Sequence, residues 1–302
     1  SFPVLTLQTG KIGFLIVASF TLLAWLFKKW FKYIVIFTLI ILISITWLQR
    51  WPGGDWQVAN CDIGQGDSMV INLGNHRGIV IDVGPDAVAE DRCLKALGIK
   101  EIPLLILSHF HADHVAGLPG ALKRRTVGQV WVSVNSAPLV ESAMAGSALA
   151  GVEMIKAVRG MSSRVGPLTI KVLWPTLSAT SFEEMPGDGS QINNSSIATL
   201  ITSNEFSIFA GGDLEPPVQE ILVKDISPVD IYKVCHHGSR YQDLAFMSAL
   251  HPRISIISVG AGNTYGHPAV QTLDALTRLG SEVLRTDIDG AIAVQVRNHQ
   301  FT

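Results

Sequence analysis

Two different patterns of apolar positions divide this chain. In residues 1–54 the apolar residues are almost continuous: Ile12–Phe27 and Tyr33–Gln49 carry no charge, and Lys28-Lys29-Trp30-Phe31-Lys32 separates them. Such runs predict two transmembrane helices joined by a short cationic loop. Each falls slightly short of the roughly 20 residues of a comfortable span. Lysine snorkelling and interfacial Trp25, Trp30, Trp47 and Trp51 would make up the difference. A helical hairpin buried within a larger membrane domain is the alternative. The breaker cluster Pro52-Gly53-Gly54 marks a boundary, so the expected organisation is a membrane segment, 1–54, and a second domain, 55–302.

Beyond that boundary strands alternate with helices. Trp56–Asp62, Ser68–Leu73, Gly78–Val83, Leu104–Leu107, Val130–Val134 and Leu168–Leu173 read as strands, and Asp86–Leu97 as a helix ended by Gly98. The second half repeats the theme. Ser196–Thr202 and Phe206–Ala210 form a hairpin, followed by strands at Asp230–Val234, Ile254–Val259, Glu282–Arg285 and Ala291–Val296. Helices are expected at Glu215–Val223 and Pro268–Leu279, each with proline in its first turn. Ala145–Ala150 and Ser178–Gln191 are small or polar enough to be loops. Two mixed runs of this kind suggest an α+β architecture of sheets covered by helices.

Composition sharpens the division. Mean hydropathy is +0.33, and the excess lies in residues 1–54, which contain no Asp or Glu. The cationic loop belongs in the cytoplasm by the positive-inside rule, which places everything after Trp51 on the extracytoplasmic side. The net charge of −2 argues against a broad cationic surface for nucleic acid but leaves a local groove open. Lys123-Arg124-Arg125 is either a DNA-backbone contact or a solvated helix end. Cys61, Cys93 and Cys235 are an odd number without CxxC spacing, so the expectation is three buried free thiols. The chain does not begin with Met, which suggests a piece of a longer protein.

The chemistry concentrates in Ser108-His109-Phe110-His111-Ala112-Asp113-His114. Three imidazoles and a carboxylate follow directly on a buried strand. Alternate residues leaving a strand end project the same way, so His109 and His111 can point to one metal ion. Asp113 and His114 fall in the following turn and can face a second. Imidazole nitrogen combined with carboxylate oxygen suits zinc or manganese.

His-x-His-x-Asp-His after a strand resembles the signature of the metallo-β-lactamase superfamily. The resemblance implies an αββα sandwich with two divalent metal ions at one edge of its two sheets. Gly211-Gly212-Asp213 resembles the motif whose aspartate bridges both metals. His236-His237-Gly238-Ser239 resembles the motif that gives a late histidine to the second metal, here His237, with His236 as a group beside it or facing the phosphate. Asp82-Val83-Gly84-Pro85 resembles the early turn whose aspartate ties loops together. One departure matters: no histidine lies between His114 and His236. The mid-domain ligand position falls on Gln191-Ile192-Asn193-Asn194-Ser195-Ser196. An asparagine or solvent there would favour oxygen-tolerant ions such as manganese, and a single-metal or inactive site is the harsher possibility.

Asp62-Ile63-Gly64-Gln65-Gly66-Asp67-Ser68 narrows the resemblance to the ComEC branch, the DNA-uptake channels of natural competence. The Asn193-Asn194 segment, the His-His-Gly-Ser motif and Asn263-Thr264-Tyr265-Gly266-His267-Pro268 are similar to that branch as well. The branch implies a hydrolase domain behind a membrane channel domain of the same protein, with DNA and other competence proteins as partners; with the charge bias of the 28–32 loop, the expected location is the cytoplasmic membrane with the hydrolase domain outward. The expected activity is metal-dependent phosphodiester cleavage of the DNA strand that is not transported. Asp113, Asp213, His236 and His267 are the catalytic candidates, and His109, His111, Asp113, His114, Asp213 and His237 the metal ligands. His267 has a structural turn role as its rival. The alternatives are a non-catalytic module that guides DNA, and a hydrolase of another small phosphodiester or ester on the same fold.

Overall fold

The structure, a computed structural model, describes residues 11–48, 51–53, 55–177, 182 and 189–302. It divides into two compact units, Ser1–Gly53 and Gly54–Thr302. In the first, the expected hairpin is replaced by one continuous helix, α1 (Lys11–Leu48). The reason is local: Lys28-Lys29-Trp30-Phe31-Lys32 holds no Gly or Pro, and lysine is a good helix former. The three lysines therefore interrupt the apolar surface without turning the chain. Among the described residues no helix is long and apolar enough to cross a membrane. Large apolar side chains along α1, Phe14, Phe20, Leu23, Phe37 and Ile43 among them, are exposed.

The second unit begins with β1 (Trp56–Asn60), β2 (Met69–Gly74), β3 (Arg77–Ile81), α2 (Ala87–Ala96) and β4 (Glu101–Leu107). Two short helices, α3 (Ala112–Val115) and α4 (Leu118–Leu122), lead to β5 (Thr126–Val132), α5 (Leu139–Ala148) and β6 (Glu153–Lys156). The chain then forms β7 (Ser162–Val165), β8 (Leu168–Trp174), α6 (Ser190–Asn193), β9 (Ala198–Thr202), β10 (Ser207–Ala210) and α7 (Pro216–Leu222). After β11 (Ile231–Lys233) and a tight turn at Cys235–Gly238 come α8 (Leu244–Leu250), β12 (Ile254–Ile257), α9 (Val270–Arg278) and β13 (Glu282–Arg285). The last elements are α10 (Thr286–Asp289), β14 (Ile292–Arg297) and β15 (Gln300–Phe301).

The strands form two sheets, ordered β15-β14-β1-β2-β3-β4-β5-β6 and β13-β12-β11-β10-β9-β8-β7. Each is antiparallel at one side and parallel at the other, through β3–β6 and β10–β13. The inner faces share one core: Val58, Ile71, Ile79, Ile106 and Trp131 of the first sheet with Ile170, Ile201, Ile208, Ile231 and Ile256 of the second. Burying these mostly β-branched side chains against each other is the main stabilising term, roughly 1.5–3 kcal/mol for each fully buried one. On the outer face of the second sheet, Val218, Leu222, Phe246, Met247 and Leu276 of α7, α8 and α9 pack on Phe209 and Tyr232. The αββα sandwich expected from the sequence is the fold observed.

Several elements differ from expectation. Ala145–Ala150 lies largely in α5, because alanine and leucine favour helix even without a strong apolar face. The edge strands β6 and β7 were not anticipated: they are short and exposed, so alternation leaves little mark. Helix α8 was also unforeseen, although Asp243 caps it by accepting from the Phe246 amide at 2.6 Å. Most of the expected loop Ser178–Gln191 lies outside the described residues. The cysteine expectation is corrected: Cys61 and Cys93 form a disulfide, with Cα atoms 5.9 Å apart, and only Cys235 is a buried free thiol. The partners are 32 residues apart, and packing of α2 beside the end of β1 joins them, which no local spacing could reveal.

Candidate metal centre

Strand β4 is apolar and buried almost throughout, and delivers Ser108–His114 to the sheet edge where β10 and β11 also end. Asp82, just after β3, organises this loop. Its carboxylate accepts from the Ser108 amide and hydroxyl at 2.7 Å each and from His114 Nδ1 at 2.9 Å. With Nδ1 held, His114 turns Nε2 inward, 3.3 Å from Asp213 Oδ1 and 3.9 Å from Asp113 Oδ2. Two glycines allow the loops to close. A Cβ on Gly66 would lie 2.1 Å from the Asp113 carbonyl oxygen. Gly212 has φ +55°, and a Cβ there would lie 2.7 Å from Ser108 Oγ, so the Gly211-Gly212 turn is what brings Asp213 to the cluster.

From β11 the chain enters a turn in which His236 and His237 both have φ +50°, a left-handed backbone that bulky residues rarely adopt. The turn sends the two rings in different directions. His237 is buried: its Nδ1 lies 3.0 Å from the Ser258 carbonyl oxygen and 3.1 Å from Asp67 Oδ1. Its Nε2 faces Asp113 Oδ2 at 3.3 Å and Asp213 Oδ2 at 3.6 Å. His236 instead faces Glu215, with Nδ1 3.5 Å from Oε1.

Asp113, His114, Asp213 and His237 therefore each offer a ligand atom, all within 4.8 Å of one another. His114 Nε2, His237 Nε2 and Asp213 Oδ1 are buried without a hydrogen-bond partner. In both histidines one nitrogen is anchored by a carboxylate or carbonyl and the other left free, which is how metal-binding imidazoles are oriented. The residues present thus fit a divalent cation. Electrostatics agree. Burial alone would lower the pKa of His114, but Asp213, Asp113 and Asp82 outweigh it and hold the pKa well above the ordinary value. Burial is likewise overcome at His237, which Asp213 and Asp67 push up to about 10. Asp213 is held well below the usual carboxylate range, against its own burial, by His114, His237 and His236. The cluster favours positive charge, which a divalent cation would supply.

His109 and His111 lie beside this group and meet each other, His109 Nε2 to His111 Nδ1 at 3.1 Å. His109 is buried, with Nε2 4.0 Å from Asp213 Oδ2, and Ser108 and Ser196 hydroxyls lie 3.1 and 3.2 Å from its Nδ1. Asn193 and Asn194, at the position where a histidine is missing, are divided in role. Asn194 donates to Glu215 Oε2 at 3.4 Å and accepts from the Glu215 amide. Asn193 donates to Glu215 Oε1 at 3.1 Å and keeps a buried, unpartnered Oδ1. His267 stands over the other side. Its ring is 5.3 Å from that of His236, and burial lowers its pKa to about 4. A cavity of 710 Å³ opens over the cluster, lined by His111, Asp113, Asp213, His236, His237 and His267 among others.

Three residues matter more than their sequence context suggested. Asp67, named above only as part of the Asp62–Ser68 motif, is buried behind His237 and takes Lys233 Nζ at 2.6 Å. Lys233 did leave a trace, as a charged residue within an otherwise apolar strand. Glu215 left none, since a glutamate ahead of Pro216 reads as an ordinary helix start.

Comparison with known proteins places this geometry. Residues 61–193 match the metallo-beta-lactamase superfamily. The ComE operon protein 3 of Bacillus subtilis is 31% identical over 270 residues, 82% of this chain and 34% of that protein. Recombination protein 2 of Haemophilus influenzae is 26% identical, over 79% of this chain and 29% of its own. Competence protein ComA of Neisseria gonorrhoeae is 25% identical, over 80% and 32%. The chain spans about a third of the length of these relatives. Among solved structures, the diiron β-hydroxylase CmlA of Streptomyces venezuelae superposes with a TM-score of 0.53 at 16% identity, over 81% of this chain and 55% of that one, a likeness of fold alone. The chain carries a metallo-β-lactamase superfamily domain with a candidate His/Asp metal cluster, and its curated relatives are competence proteins of the ComEC type.

Proposed function

We propose that this chain is the hydrolase segment of a DNA-uptake channel and cleaves the strand that is not transported. The observation that carries the reading is the pair of anchored, unpartnered imidazole nitrogens of His114 and His237 facing the carboxylates of Asp113 and Asp213, in a chain whose relatives are competence proteins. Asp113, His114, Asp213 and His237 would hold one divalent ion, and His109, His111 and Asp213 a second, manganese or zinc. Such ions would neutralise charge on a phosphodiester and ease deprotonation of a water. The chain's own groups do the rest. Asp113 and Asp213 orient the attacking water, while His236 and His267 line the cavity, where an imidazole N–H can donate a hydrogen bond to the leaving oxygen.

Two features support placement at the outer side of the cytoplasmic membrane. A disulfide belongs to an oxidising compartment. The exposed apolar side chains of α1 exceed what a water-facing helix carries and suit a membrane or the channel domain of the same protein. The paired His109 and His111, with asparagine at the mid-domain position, favour a second reading as a DNA-guiding module without catalysis.

Bound metal is measured on the purified chain, followed by cleavage of labelled single-stranded DNA with added manganese, zinc or magnesium. Cleavage lost in Asp213→Asn is the expected result. Two bound ions without cleavage of DNA would point to another phosphodiester or ester, and no bound metal to the guiding module.

A further inference from the structure

At the far end of β4 from the metal cluster lies a second concavity, a cavity of 370 Å³ lined by Lys95, Lys100, Lys123, Arg124, Arg125 and Asp91. Five cations share it with one carboxylate, in a chain of net charge −2. The carboxylate is already committed. Asp91 pairs with Lys123 at 2.9 Å and with Arg125 at 3.0 Å. Arg125 is nearly buried and structural, donating also to the carbonyl oxygens of Ile99, Gly120 and Asp91. It pins the α4–β5 loop against α2 and the start of β4. Lys95, Lys100 and Arg124 are exposed and form no ion pair among the described residues. Arg124 is held at φ +56°, a left-handed backbone that costs energy in a residue with a Cβ. Three uncompensated cations are thus presented from α2, the β4 entry and the β5 entry around one rigid hollow.

We propose that this cationic hollow binds the phosphodiester backbone of a single DNA strand and holds it against the hydrolase unit. The inference rests on the nuclease reading above and adds a second contact to it. Strand geometry sets the distance. Lys100 precedes β4 and Arg125 precedes the parallel β5, whereas His109–His114 follows the end of β4. Seven residues of strand separate the two ends by about 20 Å. That exceeds the Debye length of about 8 Å at physiological ionic strength. The hollow therefore cannot steer anions into the metal cluster through its field. It acts by touching the strand, with no sequence preference, since phosphates carry no sequence information.

The test uses the full chain in EDTA, which stops hydrolysis, and the fluorescence anisotropy of a labelled single strand across a salt series. Lys95→Glu, Lys100→Glu and Arg124→Glu together should weaken binding at least tenfold. They should also reduce the slope of log affinity against log salt by about two, since each phosphate contact contributes about 0.7. A charge-matched control at Arg164, Lys171 and Lys224 should leave both unchanged. Because Arg124→Glu keeps a strained backbone, Arg124→Gly is the second variant. It should raise the thermal midpoint yet still lower affinity for DNA. Unchanged affinity and slope in the triple variant, or an equal loss in the control, overturns the proposal. So does loss of binding to phosphatidylserine vesicles with DNA binding intact, which would assign the hollow to lipid. Manganese-dependent hydrolysis of bis(p-nitrophenyl) phosphate separates the two readings. It should survive in the hollow variants, and its absence in the unsubstituted chain would sink the nuclease while leaving the anisotropy result to stand on its own.

Discussion

A lysine on a strand whose residues are all buried requires a counter-charge, and Asp67 gives Lys233 one at 2.6 Å. Asp67 in turn lies against His237 Nδ1, so the pair fixes which imidazole nitrogen stays free. Lys233→Met should destabilise the unit by about 3–5 kcal/mol, because it strands a buried carboxylate, and weaken manganese binding by about 10–100-fold. Adding Asp67→Asn should recover much of the stability but not the affinity. Denaturant midpoints and calorimetric titration with manganese would separate the two effects. Glu90 makes the opposite case. It is fully buried on α2, and burial raises its pKa to about 8, opposed but not cancelled by Ser68 and Arg125. The folded state then keeps a proton that the unfolded chain releases near 4.5. Stability should fall as pH rises from about 4.5 to about 8, by roughly 1.4 kcal/mol per unit, and level off above. Glu90→Gln should flatten that slope in unfolding curves taken across the range.

Elements explain what could and could not be read from the chain in advance. The strands leading to the centre were legible because each is a short apolar run ending in a chemical motif. β4 before His109, β10 before Gly211 and β11 before His236 all carry that mark. Asp82 was legible only through the resemblance of Asp82-Val83-Gly84-Pro85 to the family's early turn. The α1 helix was misjudged in shape, since three lysines look like a loop in a hydropathy pattern while favouring helix as residues. The disulfide was invisible, because pairing between the end of β1 and α2 is a property of packing. Its cost is estimable from loop length: replacing Cys61 and Cys93 by alanine should destabilise the unit by about 3–4 kcal/mol, read as an earlier denaturant midpoint. Gly212→Ala belongs to this scale also. At φ +55° and 2.7 Å from Ser108 Oγ, an added Cβ should cost about 1–3 kcal/mol and displace Asp213 from the cluster. Manganese affinity should fall with it.

At the scale of the whole molecule, the centre is assembled from both sheets. His109–His114 come from the loop after β4, and Asp213 and His237 from the turns after β10 and β11. Binding a cation must therefore stabilise the docked sandwich. Manganese at a hundredfold excess over its dissociation constant should add about 2.7 kcal/mol to unfolding, visible as a raised midpoint that Asp213→Asn abolishes. The same construction has a consequence for turnover. No single proteolytic fragment of the second unit contains the complete His/Asp cluster unless it runs from before β4 to beyond β11 and keeps both sheets together. A protease that cuts the chain between the halves and lets them part would dismantle the cluster instead of releasing a smaller fragment that carries it.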